Sequence, residues 1–263
     1  MRRRSTWLAV SMGLSFSGAA GCGRSSPGPA STPAPPIVLA PPAERAPSTG
    51  APEPAPPAEA AEGFAVYLID DAAQPFAETS SRPPSGVTLA EETVPFGPDA
   101  MRRVRFAQFE RARLEPADRA LERARGWLAS IPLPSGARFL LQPSYATIVD
   151  AKGSRTEPSA WRSYVVTGER ILAEEDLVTA ELVTEPEYRY LAVSLAPAAA
   201  ERFAKFTADH IKQRLAIVLD GQVQSAPVLV SKIEGGKLSL VVSNDAAGAS
   251  ATGLVERVRR AKP

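Results

Sequence analysis

The chain has little of what most catalytic and metal-binding sites require. Its 263 residues include one cysteine, Cys22, and one histidine, His210. A single cysteine excludes an internal disulfide framework, and a single histidine leaves too few ligands for a histidine-based metal site or a Ser-His-Asp triad. Thirty basic and 29 acidic residues give a formal net charge of +1. The sequence therefore lacks the strong field that favours nucleic acid as a partner.

Long hydrophobic runs are also missing, since no apolar run reaches the ~18 residues that a membrane-spanning helix needs. The N-terminus has a shorter apolar segment, residues 7–16, between a positive stretch at residues 2–4 and the small residues 17–21. This order of positive, apolar and small residues is typical of a secretory signal. We predict a signal peptide over residues 1–21.

The predicted cleavage region ends in Ala19-Ala20-Gly21-Cys22. This tetrapeptide resembles a bacterial lipobox, although Ala19 stands where leucine is commonest. The resemblance implies that the Cys22 thiol carries a diacylglyceryl group, whose buried methylenes contribute about 0.8 kcal/mol each to membrane anchoring. The resemblance also implies a protein that is anchored in the cell envelope and faces the periplasm. By the enterobacterial sorting rule, Gly23 in place of aspartate implies the outer membrane, and the inner membrane stays open as the alternative. The alternative is ordinary signal-peptidase cleavage beside an incidental cysteine.

Residues 22–63 are rich in proline, alanine, serine and glycine, and 12 of the 26 prolines lie between Pro27 and Pro57. Such a composition buries too little apolar surface to offset the entropy lost on ordering. We predict a disordered, semi-rigid spacer that proteases cut before the folded part. The alternative is a PxxP ligand for a partner.

Apolar patterning predicts one folded domain over residues 64–260. Arg102–Arg113 fits a strand or a helix equally well. Residues 116–130 predict a helix that begins near Pro116. The predicted strands before the C-terminal block are Phe64–Ile69, Val87–Leu89, Phe139–Leu141, Tyr145–Val149, Ser163–Val166, Leu177–Val183 and Tyr190–Leu195.

The C-terminal block predicts a helix at 197–211, a hairpin of strands 214–219 and 223–230, a third strand of the same meander at 237–242, and a helix at 246–260. Asp220-Gly221 predicts the two-residue turn of the hairpin. Pro227 cannot donate to a ladder, so it predicts an edge or a bulge, and Gly235-Gly236 predicts a second turn. The predicted fold class is α+β, an antiparallel sheet with helices packed on one face.

Three segments of this block, AERFAKFT, RLAIVLDGQVQSAPVLV and KIEGGKLSLVV, resemble the head subdomain of the first periplasmic domain of SecD/SecDF. The resemblance is strongest over residues 214–227 and covers about 160–260. The residues in register with the family motif are Phe203, Thr207, Asp220, Gly221, Ser225, Ala226, Pro227, Gly235 and Gly236.

The resemblance implies an envelope protein that binds exported or unfolded polypeptide without catalysis. The alternative is a scaffold lipoprotein that binds another envelope protein. We expect no enzyme activity, no catalytic residue, no metal and no cofactor, because the sequence contains no nucleophile elbow, phosphate-binding glycine loop or metal-ligand spacing. We interpret Asp220 as a turn residue and His210 as a packing or capping residue. We expect an exposed strand edge near Val228–Val230 to pair with an extended chain.

Overall fold

The computed structural model describes residues 63–76, 83–97, 100–150, 153–185, 188–242 and 245–261. All of them belong to the second of two compact units, Ala55–Pro263. Cys22, the signal peptide predicted at 1–21 and the tether predicted up to Gly63, apart from Gly63 itself, lie outside the described residues. Those assignments therefore remain predictions.

The described part of the chain contains strands and helices in mixed order. The strands are β1 Phe64–Ile69, β2 Val87–Pro95, β3 Met101–Glu110, β4 Arg138–Asp150, β5 Gly153–Ala173, β6 Leu177–Thr184, β7 Arg189–Leu195, β8 Leu215–Leu219, β9 Gln222–Ser225 and β10 Lys237–Val242. The helices are α1 Ala117–Leu128, α2 Pro197–Asp209 and α3 Asp245–Arg260, and a 3-10 turn covers Glu174–Asp176. The α+β class predicted from the sequence is confirmed.

Seven strands form the larger sheet around β5. One edge of β5 pairs antiparallel with β3 at residues 160–162 and with β1 at residues 166–173, and its other edge pairs with β4. The ladder continues from β3 to β2, and from β1 through β8 to β9. The Gln142 side-chain amide on β4 donates to the Gln224 carbonyl on β9 (3.2 Å), so the sheet curls until these two strands meet.

The smaller sheet has the order β10-β7-β6, and both of its ladders are antiparallel. The prediction that Lys237–Val242 is the third strand of the β8–β9 meander is therefore wrong. The Gly235-Gly236 turn directs the chain away from β9, because the Gly236 carbonyl accepts from the Leu195 N–H (2.8 Å) at the end of β7.

The largest apolar cluster joins both sheets to α2 and α3. Pro197 occupies the first turn of α2, where its missing N–H costs no helical hydrogen bond. On α3 the buried residues recur at spacings of three and four, the pattern of an amphipathic helix; they are Ala247, Ala251, Leu254 and Val258. The helices of the C-terminal block thus cover the face of the larger sheet that β1 and β8 present.

Two further clusters lie elsewhere on the larger sheet. One fills the inside of the curl and includes Tyr67, Tyr164 and Val218. The other packs the apolar stripe of α1 against Phe109 and Trp161. The helix predicted at 116–130 is thereby confirmed, with Pro116 as its N-cap residue.

Strands in the first half of the domain are longer than the sequence predicts. Val87–Leu89 is the start of a nine-residue strand, and Arg102–Arg113 resolves as the strand Met101–Glu110. The two segments predicted at 139–141 and 145–149 are one strand with a register shift after Ser144. Ser163–Val166 lies inside the 21-residue β5. Charged residues interrupt the apolar alternation of these strands, so the predicted strands were too short. The residues that pair with these charges lie on other elements, which a local pattern does not indicate.

Candidate functional site

The β8–β9 hairpin turns at Asp220 and Gly221, as predicted, and both residues have positive φ, 48° and 74°. Positive φ at both central positions suits a type I′ turn, whose twist matches that of the strands. The Asp220 N–H donates to the carbonyl of Gly63 (2.8 Å). The turn is therefore attached to the residue that precedes β1.

The Asp220 carboxylate also has a structural partner. Arg257 on α3 donates from Nη2 to Asp220 Oδ1 (3.3 Å) and from Nε to Glu174 Oε1 (3.0 Å). The hydrogen bond to Glu174 raises the pKa of Arg257. These contacts join the hairpin turn, the 3-10 turn and α3, in agreement with the interpretation of Asp220 as a turn residue.

Phe203 and Thr207 lie one turn apart on the buried face of α2. Phe203 belongs to the largest apolar cluster. The Thr207 hydroxyl is fully buried, donates to the Ala204 carbonyl (3.1 Å) and accepts from the Ile233 N–H (3.0 Å). Thr207 therefore holds the segment that leads into the second turn.

Gly235 and Gly236 have φ values of 75° and 62° and form the second predicted turn. A Cβ at Gly236 would lie 2.6 Å from the Cβ of Ala200, whereas a Cβ at Gly235 would meet nothing within 4 Å. Gly236 is thus required both for its backbone conformation and for its close approach to α2.

Ser225, Ala226 and Pro227 lie where the hairpin ladder ends. Ser225 pairs with Ile217, Ala226 packs against the cluster inside the curl, and the Pro227 carbonyl accepts from the Leu215 N–H (3.0 Å). The return strand predicted to reach residue 230 therefore ends at Ser225. It ends early because Pro227 has no N–H for a ladder.

Beyond Pro227 the chain forms backbone hydrogen bonds along one edge. Leu229 is buried and exchanges hydrogen bonds with Gln213 (2.8 Å) and Lys212 (2.7 Å). Val228 forms an isolated bridge with Arg214 in which its own N–H and C=O point away from Arg214, and neither has a backbone partner among the described residues. Val230 is 75% exposed beside this edge. The exposed edge predicted at 228–230 is therefore short and centred on Val228.

His210 ends α2 as a packed residue. Its ring stacks on Phe206 with centroids 3.9 Å apart, and its Nδ1 lies 2.7 Å from the Phe206 carbonyl oxygen. The predicted capping and packing role therefore agrees with the geometry. Among the residues with described positions, no cluster of three or more His, Cys, Asp or Glu side chains is placed to hold a metal ion.

Sequence reasoning missed a buried ionic cluster at the junction of β1, β2, β5 and β8. Arg214, just before β8, donates from Nε to Asp71 Oδ2 (3.0 Å) and from Nη1 to Glu92 Oε1 (2.6 Å). Arg162 on β5 donates to the same Glu92 oxygen. Asp71 and Arg214 are both at least nine-tenths buried, so each neutralises a charge that would otherwise be costly to bury.

The cluster continues through aromatic and amide groups. The Arg162 guanidinium lies 3.9 Å from the centroid of the Phe106 ring, and burial lowers the pKa of Arg162. Burial raises the pKa of Tyr164, whose hydroxyl donates to Gln142 Oε1 (2.8 Å). Asp71 follows a strand and is 143 residues from Arg214, so the sequence does not indicate this pair directly. The available signal is an arginine at the start of an apolar strand, because a buried arginine needs an acidic partner.

Comparison with known proteins finds a family match in the C-terminal part of the chain. A family model described as the P1 head subdomain of SecDF matches residues 148–255. These residues form a SecDF head-like domain. The match begins upstream of the predicted 160–260 and includes the tip of the β4–β5 ribbon.

The relatives of this head-like domain are protein translocase subunits SecD. The SecD of Desulfurispirillum indicum is 32% identical over 110 residues, 41% of this chain and 20% of that protein. The SecD of Magnetococcus marinus is 59% identical over 39 residues, 15% of this chain and 7% of that protein. The chain thus spans a fifth or less of these curated relatives.

Solved SecDF structures are also similar. One, of a membrane component SecDF that enhances protein export, has 18% identity and a TM-score of 0.32, covering 74% of this chain and 93% of that one. SecDF from Thermus thermophilus has 18% identity and a TM-score of 0.29, covering 75% and 29%. None of the helices in the described part of this chain has the length and hydropathy that crossing a bilayer requires.

Proposed function

We propose that this protein is anchored in the bacterial cell envelope through lipidated Cys22 and that its head-like domain binds exported or unfolded polypeptide without catalysis. The observation that carries the proposal is the match of residues 148–255 to the SecDF head subdomain. The matched relatives are translocase subunits, which supports an exported chain as the partner.

The edge at Val228 is the surface we propose for this partner. Its N–H and C=O have no backbone partner among the described residues, so an extended chain has a donor and an acceptor to pair with. Exposed Val230 follows it two residues later in the chain. Pairing through the main chain gives little sequence preference, as a binder of many exported chains requires.

The proposed affinity is weak, micromolar or weaker, because the bound chain loses conformational entropy. After removal of residues 1–21, which contain three arginines and no acids, 27 basic and 29 acidic side chains remain. This near-neutral charge predicts only a modest dependence of affinity on salt.

Titration of the mature chain carrying Cys22→Ala with a secretory protein tests the binding. We expect binding to the reduced, unfolded form and none to its folded form. Equal binding to both, or no binding to either, contradicts the proposal and favours a scaffold lipoprotein that binds one envelope protein.

A matched pair of substitutions tests the location. Val230→Lys places a charge beside the edge, and Val149→Lys places the same charge on the β4–β5 ribbon. The two valines have similar exposure, 75% for Val230 and 77% for Val149. We expect Val230→Lys alone to weaken binding of the unfolded protein. Equal affinities for the two variants exclude the edge as the binding surface.

Anchoring has its own test, which is independent of binding. In cells, Cys22→Ala should move the protein from the membrane fraction to the soluble fraction, because acyl chains supply the proposed attachment. A variant that still sediments with membranes after a high-salt wash contradicts lipidation at Cys22.

A further inference from the structure

The β2–β3 hairpin is joined to the rest of the larger sheet at one end only. Its two strands pair over nine positions, from Val87↔Phe109 to Pro95↔Met101. Only the three pairs from Gln108↔Arg162 to Glu110↔Ala160 connect β3 to β5. The distal half of the hairpin, Glu91–Pro95 with Met101–Arg105, therefore has no ladder to the sheet within the described residues.

A small cavity lies beneath this distal half. It has a volume of about 20 Å³ and is lined by Phe76 of the β1–β2 connection, by Val104 and Phe106 of β3, and by Arg162 and Tyr164 of β5. That volume is room for about one water molecule. Packing between the distal hairpin and β5 is thus incomplete.

Glu91 and Glu92 are adjacent on β2 but bind opposite partners. Glu91 pairs with Arg105 (2.6 Å) and Arg103 (3.8 Å), which belong to the same hairpin. Glu92 instead contacts Arg162 on β5 and Arg214 before β8 (2.6 Å to Arg214). Of the two carboxylates, only that of Glu92 therefore spans the gap between the hairpin and the body of the domain, where the Gln74 side-chain amide also donates to the Arg103 carbonyl (3.0 Å).

The surroundings of Glu92 strengthen its contacts. The side chains of Arg162 and Arg214 are 24% and 7% exposed, and that of Glu92 is 27% exposed. Charge-assisted hydrogen bonds that are partly shielded from water are stronger than exposed ion pairs. The Glu91 pairs, at 38% to 77% exposure, are expected to contribute little.

We infer that the β2–β3 hairpin is a flap and that Glu92 is its latch. With the Glu92 contacts in place, the distal hairpin covers β5. When they are lost, the distal half swings out about its three-pair ladder to β5 while the apolar clusters stay folded. Opening uncovers Phe106, Tyr164 and the guanidinium of Arg162 as one surface.

Thiol labelling tests the latch in the full chain carrying Cys22→Ala, so that each introduced thiol is the sole one. Val104→Cys reports on the underside of the flap, and Val218→Cys, at a fully buried position of β8, reports global unfolding. Each is combined with Glu92→Gln or with the control Glu91→Gln. All proteins are labelled under native conditions.

Glu92→Gln should raise the labelling rate of Val104→Cys about tenfold or more, the effect of losing one charge-assisted contact. Glu91→Gln should leave that rate within about twofold, and neither change should alter labelling of Val218→Cys. Equal rates in the Glu92→Gln and Glu91→Gln proteins would overturn the inference. So would parallel increases at both thiols, or loss of the folded state in Glu92→Gln, because either shows that Glu92 supports the whole domain.

Discussion

The two hairpins of the larger sheet are held in different ways. The β8–β9 hairpin lies inside the head-like domain, with β8 paired to β1 over five positions and to β9 on its other side. The β2–β3 hairpin precedes the matched residues, and we propose that Glu92 latches its distal half through Arg162 and Arg214. Backbone pairing on both edges of β8 therefore fixes the β8–β9 hairpin. The distal half of the β2–β3 hairpin has no such ladder among the described residues, so side-chain contacts hold it.

Removing the carboxylate that neutralises Arg214 should have the largest effect, since the ionic cluster is where the two hairpins meet. Asp71→Ala leaves the buried Arg214 with Glu92 alone, and we expect the free energy of unfolding to fall by about 3–5 kcal/mol. Urea denaturation measures the loss. Asp70→Ala is the control, because within the described ranges the Asp70 carboxylate accepts from the neighbouring N–H groups of Ala72 (3.0 Å) and Ala73 (3.1 Å) and from no other group. Equal losses in the two variants would show that the cluster does not couple the hairpins.

The second turn of the head-like domain offers two neighbouring glycines with similar φ and different surroundings. Gly236→Ala adds a close contact with Ala200 to the backbone strain, so we expect a loss of about 2–4 kcal/mol. Gly235→Ala meets open space and should cost only about 1–2 kcal/mol. Thermal unfolding of both variants checks the difference. An equal loss would mean that α2 shifts to accept the new methyl group.

Local turn chemistry made the head-like hairpin predictable. Asp220-Gly221, Gly235-Gly236 and the first-turn Pro197 each constrain φ or hydrogen bonding at their own position, without reference to a distant partner. The sequence therefore predicted both turns and the start of α2. The strand that follows the second turn was misassigned, because a turn specifies where the chain reverses and not which strand it joins next.

Long-range pairing explains the parts that were missed. Glu91 and Glu92 interrupt the apolar pattern of β2, so the predicted strand stopped at Leu89. Their presence in a strand is explained by arginines on or beside other strands, and Arg162 and Arg214 are 70 and 122 residues from Glu92. No periodicity in a single sequence indicates such pairs. The ionic cluster and the proposed flap were missed for the same reason, because their contacts join residues far apart in the sequence.

The smallest difference between two matched variants should come from the turns of the two hairpins themselves. Gly221 and Gly97 have φ values of 74° and 78°, and a Cβ at either meets nothing within 4 Å. Gly221→Val should lower the free energy of unfolding by at least about 1 kcal/mol, because valine is strained at positive φ and both strands of its hairpin are fixed by their neighbours. Gly97→Val introduces the same strain beside the free end of the β2–β3 hairpin, where local opening relieves part of it, so its loss should be smaller. Urea denaturation of both variants measures the difference. An unchanged midpoint in Gly221→Val would contradict the turn assignment, and a larger loss in Gly97→Val would show that the first hairpin is held as firmly as the second.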